Sequence, residues 1–231
     1  MALLDLLNAA AHGDLPAPDG TVTVVADDPG RAWAVLGFTA HFIVCAPVEP
    51  DWVRGQLPPG DLTAPLGARF LVRLADRLGA NIGAHDAVLV TLADGRAASL
   101  ALHPVDEPQH PRVRRARRYR NDIQVWTTDD GHGVVLLGRG VAGRWEVAFE
   151  VADAARGRGL GRQLAVAARG LLPASTPIFA QVSPGNAASM RVVLAAGFRP
   201  VGAEVLLTPR SQRRDQGEMV AVEDRLATIH P

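Results

Sequence analysis

Lysine is absent from the sequence: all 24 cationic side chains are arginines, balanced by 24 acidic ones for a formal net charge of zero. Without lysine there is no phosphate-binding P-loop, which needs a Lys followed by Ser or Thr after its last glycine. The charge balance removes the broad positive field of a general nucleic-acid binder, so any electrostatic partner must be read locally. Cysteine is nearly absent as well. The one thiol, Cys45, lies in the apolar run FIVCAPV and can form neither an intrachain disulfide nor a thiolate metal site, so a core position in a reducing, cytoplasmic setting is expected. Long apolar runs are missing. The start, MALLDLLNAAAHGD, carries Asp5 in its middle and no basic flank, which speaks against a signal peptide or membrane span and for a short amphipathic helix through Leu3, Leu4 and Leu7. The seven histidines show neither H-x-x-x-H nor H-E-x-x-H spacing, so no metal site is expected.

What is present is a hydrophobic fraction of 48% over 231 residues, ample for a core. Residues 1–20 read as a helix and a Pro/Gly/Asp linker, 21–111 as a first α/β segment, 112–209 as a second, and 210–231 as a polar tail of poor order. In the first segment TVTVVA and RAWAVLGFTAHFIVCA predict two strands. Phe70, Leu74 and Leu78 line one face of a helix, and AVLVTLA (87–93) predicts another strand. In the second segment strands are expected over 122–128 and 134–140, joined by the turn residues Asp-Asp-Gly-His-Gly. RWEVAFEV (144–151) alternates: Trp145, Val147, Phe149 and Val151 form a packing face, and Arg144, Glu146, Ala148 and Glu150 a face left available for chemistry. A helix marked by Leu160, Leu164 and Leu171, a strand over 177–183, a helix over 186–196 and a strand over 201–207 follow.

Between the alternating strand and its helix stands AARGRGLGRQL. A glycine-rich turn there leaves unpaired backbone N–H groups at a helix N-terminus, where the peptide dipoles act as roughly half a positive charge. Glycine also lets phosphate oxygens approach the main chain without meeting a Cβ. Arg156, Arg158 and Arg162 are placed to add charge-assisted bonds to a diphosphate. Gly157, Gly159 and Gly161 are spaced G-x-G-x-G, not the G-x-G-x-x-G of a dinucleotide fold.

The pattern R-x-x-G-x-G across Arg156, Gly159 and Gly161, followed by NAASMRVVLAAGF with Asn186, Ser189 and Gly197–Phe198, resembles the GCN5-related N-acetyltransferases over about residues 112–209. The resemblance implies an α/β fold with a GNAT-type mixed central sheet, to which residues 21–111 add a further α/β segment. It implies acetyl-CoA as acyl donor. The amides of Arg156, Gly157, Arg158, Gly159, Leu160 and Gly161 would hold the pyrophosphate and Val151 and its neighbours the pantetheine amides. Asn186, with the small Ser189 after it, would contact the cofactor's far arm; an ordinary helix N-cap is the other reading of Asn186. The implied reaction is direct attack of an amine, small or peptidic, on the thioester in a ternary complex. A non-catalytic acyl-CoA-binding regulatory module is the alternative. The family often forms homodimers.

An amine of pKa ~10 is protonated at neutral pH, so a base is needed. Glu146 and Glu150 are the candidates, with Glu146 favoured by the family's usual upstream carboxylate; ion pairing with Arg144 or Arg139 is the competing reading. A strand bulge here would exchange the two faces. The tyrosine that often protonates the leaving thiolate is replaced by Val193, and the one tyrosine, Tyr119, is remote in sequence. Water or Ser189 would then substitute. Six arginines in residues 112–120 predict a strongly basic helix, either solvated and balanced by Asp106 and Glu107 or serving as a docking surface for an anionic substrate or cofactor phosphate. Nucleic acid is not the expected partner, since no exposed aromatics accompany the arginines.

Overall fold

The computed structural model describes residues 2–26, 31–96, 100–106 and 109–210. Helix α1 (Leu3–Ala11) is followed by strands β1 (Val22–Val25), β2 (Trp33–Phe38) and β3 (His41–Cys45), so the run RAWAVLGFTAHFIVCA, expected as one strand, is an antiparallel pair that turns at Thr39 and Ala40, where Ala40 has a φ of +49°. Helices α2 (Pro50–Gln56) and α3 (Ala68–Leu78) lead to β4 (Ala80–Leu92) and the short β5 (His103–Pro104). Then come α4 (Pro111–Ala116), β6 (Asn121–Thr127), β7 (Gly133–Arg139), β8 (Trp145–Val151), α5 (Leu160–Ala167), β9 (Pro177–Val182), α6 (Ala187–Ala195) and β10 (Arg199–Pro209). Glu107 and the tail 211–231 lie outside the described residues.

Among the described residues ten strands join one mixed sheet in the order β1-β3-β2-β10-β4-β9-β8-β7-β6-β5. β1 runs parallel to β3 and β8 parallel to β9; the remaining pairs are antiparallel. The expected boundary at 111/112 therefore does not separate two sheets. β4, from the first segment, is inserted between β9 and β10, both from the second, so the two segments share one core. β4 is also longer than the apolar pattern at 87–93 predicts. Its first residues, ANIGAHD, pair with β10 but not with β9, which reaches only Ala87–Leu92, and so carry the mixed polarity of a strand with one open edge; the β10 pairing has register shifts at Pro200–Gly202 and Val205–Leu207.

The side-chain alternation of the strands sorts the core into layers. Val135 and Leu137 of β7, Val147 of β8, Ile178, Ala180 and Val182 of β9 and Leu89 of β4 point to α5 and α6. On the opposite face, Val113 and Ala116 of α4 pack on Val125 and Leu136, and α1 buries Leu3 and Leu7 against Val88, Val90 and Phe179. Complete burial of each such leucine contributes about 1.5–3 kcal/mol. α3 packs Phe70, Leu71 and Leu74 under β2, β3 and β10 and ends at Gly79, whose φ of +60° suits a left-handed cap. Cys45 is buried in the core, and His41 is tied to Asp19 at 3.0 Å. Among the described residues, no helix is long and apolar enough to cross a membrane.

α5 stops at Ala167 and tightens into a 3-10 turn over Ala168–Gly170, so Leu171 falls beyond the helix that the leucine spacing extended to Pro173.

Candidate active site

The central feature is a gap. β8 and β9 pair only through Trp145↔Ile178 and Glu146↔Phe179, after which the two strands part. β8 remains fully paired to β7, from Arg139↔Trp145 to Gly133↔Val151 without a register shift, so there is no bulge on that side and the faces fall as the alternation predicts. At the point of separation a guanidinium takes over the role of the ladder. Arg120, just beyond α4, donates through Nε to Glu146 of β8 (2.7 Å) and through a terminal nitrogen to Gln181 of β9 (3.0 Å). A guanidinium only donates, so the Gln181 oxygen must face Arg120.

A cavity of about 360 Å³ runs through this gap. Its lining takes residues from both faces of the sheet. Val147, Phe149, Ala180, Val182, Asn186, Ser189 and Val193 belong to the α5–α6 side, and Glu146, Ala148, Gln181 and the α4 residues to the other. The cavity thus connects the two faces, and the volume is that of a small-molecule site, typically ~300–1,000 Å³.

On the α5–α6 side, the glycine loop bears the geometry expected of an anion cradle. Gly157 and Gly159 have φ of +75° and +84°, and a Cβ on either would meet no protein atom within 4 Å. Among the described residues, no protein carbonyl accepts from the N–H groups of Gly157, Arg158, Gly159, Leu160 or Gly161; the Arg156 N–H, expected to share in the cradle, is instead taken by the Asp153 carbonyl (3.2 Å), and beyond the loop Arg162 and Gln163 both bond to the Gly159 carbonyl. The loop residues do not line the cavity itself. Arg158 and Arg162 are exposed, whereas Arg156 folds back on Asp153 (2.7 Å) and on the Val151 carbonyl (3.3 Å), so that carbonyl already has a donor. Asn186 caps α6, accepting from the Ser189 N–H at 3.0 Å, and both residues reach the cavity. The N-cap reading of Asn186 thus holds, and it leaves the amide nitrogen of the side chain for a ligand.

On the α4 side the expectation of an open, working strand face needs correction. Arg144 and Glu146 are each only 1% exposed. The Arg144 guanidinium bonds to Glu146 (2.9 Å) and to both oxygens of Glu204 on β10 (2.7 Å), and lies 5.1 Å over the Phe179 ring. Gly140 closes the cluster, since a Cβ there would overlap the Glu146 carboxyl. Burial raises the Glu146 pKa, but Arg144 and Arg120 together outweigh it and hold the carboxyl below its ordinary range. Glu204 has one guanidinium only; burial wins and pushes it up, with Glu146 and Asp86 adding to the effect. Burial opposes the charge of Arg144, and the two glutamates restore and exceed it. Glu150 is half-exposed and paired with Arg112 at 3.1 Å. Both expected carboxylates are therefore bound to arginine, Glu146 in a sealed network and Glu150 at the surface; Arg139 instead stacks on Trp145.

The arginine-rich segment forms a helix of only six residues, and its side chains divide by direction. Val113 and Ala116 are buried, Arg112 and Arg120 turn inward to Glu150 and Glu146, and Arg115 faces the cavity. Tyr119, remote in sequence, also lines the cavity. So does Asp86 of β4, a residue that sequence reasoning missed because it sits in the polar start of a strand assigned to the other segment. Burial raises the Asp86 carboxyl above its ordinary range, with Arg115 and His85 opposing in part.

No family model and no curated protein matches the sequence. Among solved structures the chain is similar to the GCN5-related N-acetyltransferase from Kribbella flavida, with 18% identity and a TM-score of 0.40 over 63% of this chain and 66% of that one. It is similar to the GCN5-related N-acetyltransferase from Sphaerobacter thermophilus at 15% identity and a TM-score of 0.37, over 61% of this chain and 56% of that one. A functionally unknown conserved protein from Staphylococcus epidermidis aligns at 16% identity and a TM-score of 0.37, over 60% of this chain and 66% of that one. The alignments span less than two thirds of these solved chains.

Proposed function

We propose that the protein transfers an acetyl group from acetyl-CoA to an amine, the donor entering from the α5–α6 side of the gap and the acceptor from the α4 side. The observation that carries this reading is the parting of β8 and β9 after two register pairs, which opens the sheet from face to face beside a glycine loop with five unclaimed N–H groups. A gap of this kind lets two substrates meet without either crossing the core, which suits direct transfer in a ternary complex. The loop fits a diphosphate: its N–H groups and the α5 dipole supply positive potential, and the space over Gly157 and Gly159 is free of side chains. In this reading Glu146 is a positioning residue that anchors Arg120 and through it Gln181, while Glu150 and Arg112 flank the acceptor mouth. Val193 provides no acid for the leaving thiolate; the Tyr119 hydroxyl, in the same cavity, is the phenol available.

Calorimetric titration with acetyl-CoA tests the donor half. The Gly159→Asp variant should abolish binding, since it places a carboxylate in the cradle and strains a left-handed position. An unchanged affinity rejects the assignment. Release of free CoA over a panel of amines tests the rest, and saturable binding with no turnover by any amine would instead make the protein an acyl-CoA-binding module.

A further inference from the structure

The charged and phenolic groups on the α4 side of the cavity fall into two sets. Arg112, Arg120 and Glu146 are already engaged, with Glu150, with Glu146 and Gln181, and with Arg144 and Arg120 respectively. Asp86, Arg115 and Tyr119 line the same cavity, and among the described residues none of their side chains makes a hydrogen bond or a close ion pair. Asp86 and Arg115 line one cavity from different elements, β4 and α4, with no hydrogen bond or ion pair between them, yet near enough that the Arg115 charge acts on the Asp86 carboxyl. One acceptor-hungry cation and one donor-hungry carboxylate are thus left across a cavity from each other.

That arrangement selects the acceptor's chemistry. A plain alkylammonium entering here would meet Asp86 favourably but would also face three guanidiniums, of which Arg115 has no carboxylate bound to it. An anionic group on the acceptor removes the conflict, because a guanidinium binds carboxylate in a fixed, planar geometry. The cavity volume favours a small molecule over a folded chain.

Resting on the acetyl-transfer reading, we infer that the acceptor is a small amine bearing its own carboxylate, an amino acid, seated with its ammonium on Asp86 and its carboxylate on Arg115. Asp86 takes one ammonium proton and passes it to solvent. The freed nitrogen forms the new bond to the acyl carbon as the carbon–sulfur bond breaks, and the second proton leaves with sulfur in the free thiol. β4 then explains itself: the first segment contributes the strand whose aspartate receives the acceptor, while the second contributes the donor loop.

The test is acetylation of matched pairs that differ only in the carboxylate: leucine against isopentylamine, and phenylalanine against phenethylamine. Free CoA release is followed at fixed, saturating acetyl-CoA. A charge-assisted bond predicts a preference for the amino acid of about ten- to a hundredfold in kcat/KM. Arg115→Gln should bring that ratio towards one by raising KM for the amino acid, whereas Arg114→Gln, on the exposed side of the same helix and outside the cavity, should leave the ratio in place. Equal use of the two members of each pair, or an equal loss on both with Arg115→Gln, overturns the inference and leaves the acetyl-transfer reading standing. Acetyl-CoA binding with no turnover of any amine overturns both.

Discussion

Two groups of charged residues lie within one sheet and differ in nearly every respect. Arg144, Glu146 and Glu204 are sealed, each only 1% exposed, and mutually bonded at 2.7–2.9 Å. Asp86 and Arg115 border a cavity, and among the described residues neither side chain has a hydrogen-bond or ion-pair partner. The first group fixes geometry: Glu146 anchors the guanidinium of Arg120, which holds β8 and β9 at the mouth of the gap. The second retains unspent electrostatic potential, which is what a site for a charged ligand requires. Residue type does not separate them, since both contain acid and arginine. Pairing of acid with base does: Arg144 bonds to Glu146 and Glu204, although its Nη1 is buried without a hydrogen-bond partner, whereas among the described residues Asp86 and Arg115 pair with nothing.

The largest effect is expected from Asp86→Asn, which should lower kcat/KM about 10²- to 10⁴-fold, the usual contribution of a positioned base. In the native protein the acidic limb of the kcat/KM profile should lie above the ordinary aspartate range. A base works deprotonated, and burial has raised this carboxyl against the opposing charges of Arg115 and His85; Glu204 on the facing strand β10 bears on the same region. The variant should lose that limb. Next, Arg144→Met removes the centre of the sealed group and leaves two buried carboxylates, at a cost of about 3–5 kcal/mol in denaturant unfolding. The same network sets a pH dependence. Glu146, held below its unfolded pKa, stabilises the fold at neutral pH, and that contribution should fade as the pH drops through its lowered folded value in acid titration. Smallest is Glu150→Gln, whose half-exposed pair with Arg112 is worth at most ~1 kcal/mol of stability. Should Glu150→Gln abolish turnover while Asp86→Asn preserves it, the base lies at the surface pair and the division between spent and unspent charge fails.

The strand and helix pattern of residues 112–209 was readable because its local signals agree. Alternation in RWEVAFEV, the glycines before α5 and Asn186 before α6 each report on neighbouring residues only. What escaped were consequences of pairing over long distances. Glu146 lies on the polar face of its own strand, yet Glu204 and Arg120 arrive from elsewhere to bury it. Tyr119 and Asp86 reach one cavity from opposite sides of the proposed boundary, and no periodicity encodes that β4 inserts between β9 and β10. The run of arginines hid the reverse problem: six like residues gave no clue that three would line the cavity, two of them paired with glutamates and one not.

The place of β4 also orders events during synthesis. Its partners β9 and β10 are translated long after it, so a nascent chain carries this 13-residue strand with both edges bare until residues 177–209 have left the ribosome. Uncovered edges recruit other strands, and polar residues along them discourage that. The mixed polarity of ANIGAHD, which obscured the strand in the sequence, is of the kind that discourages such pairing.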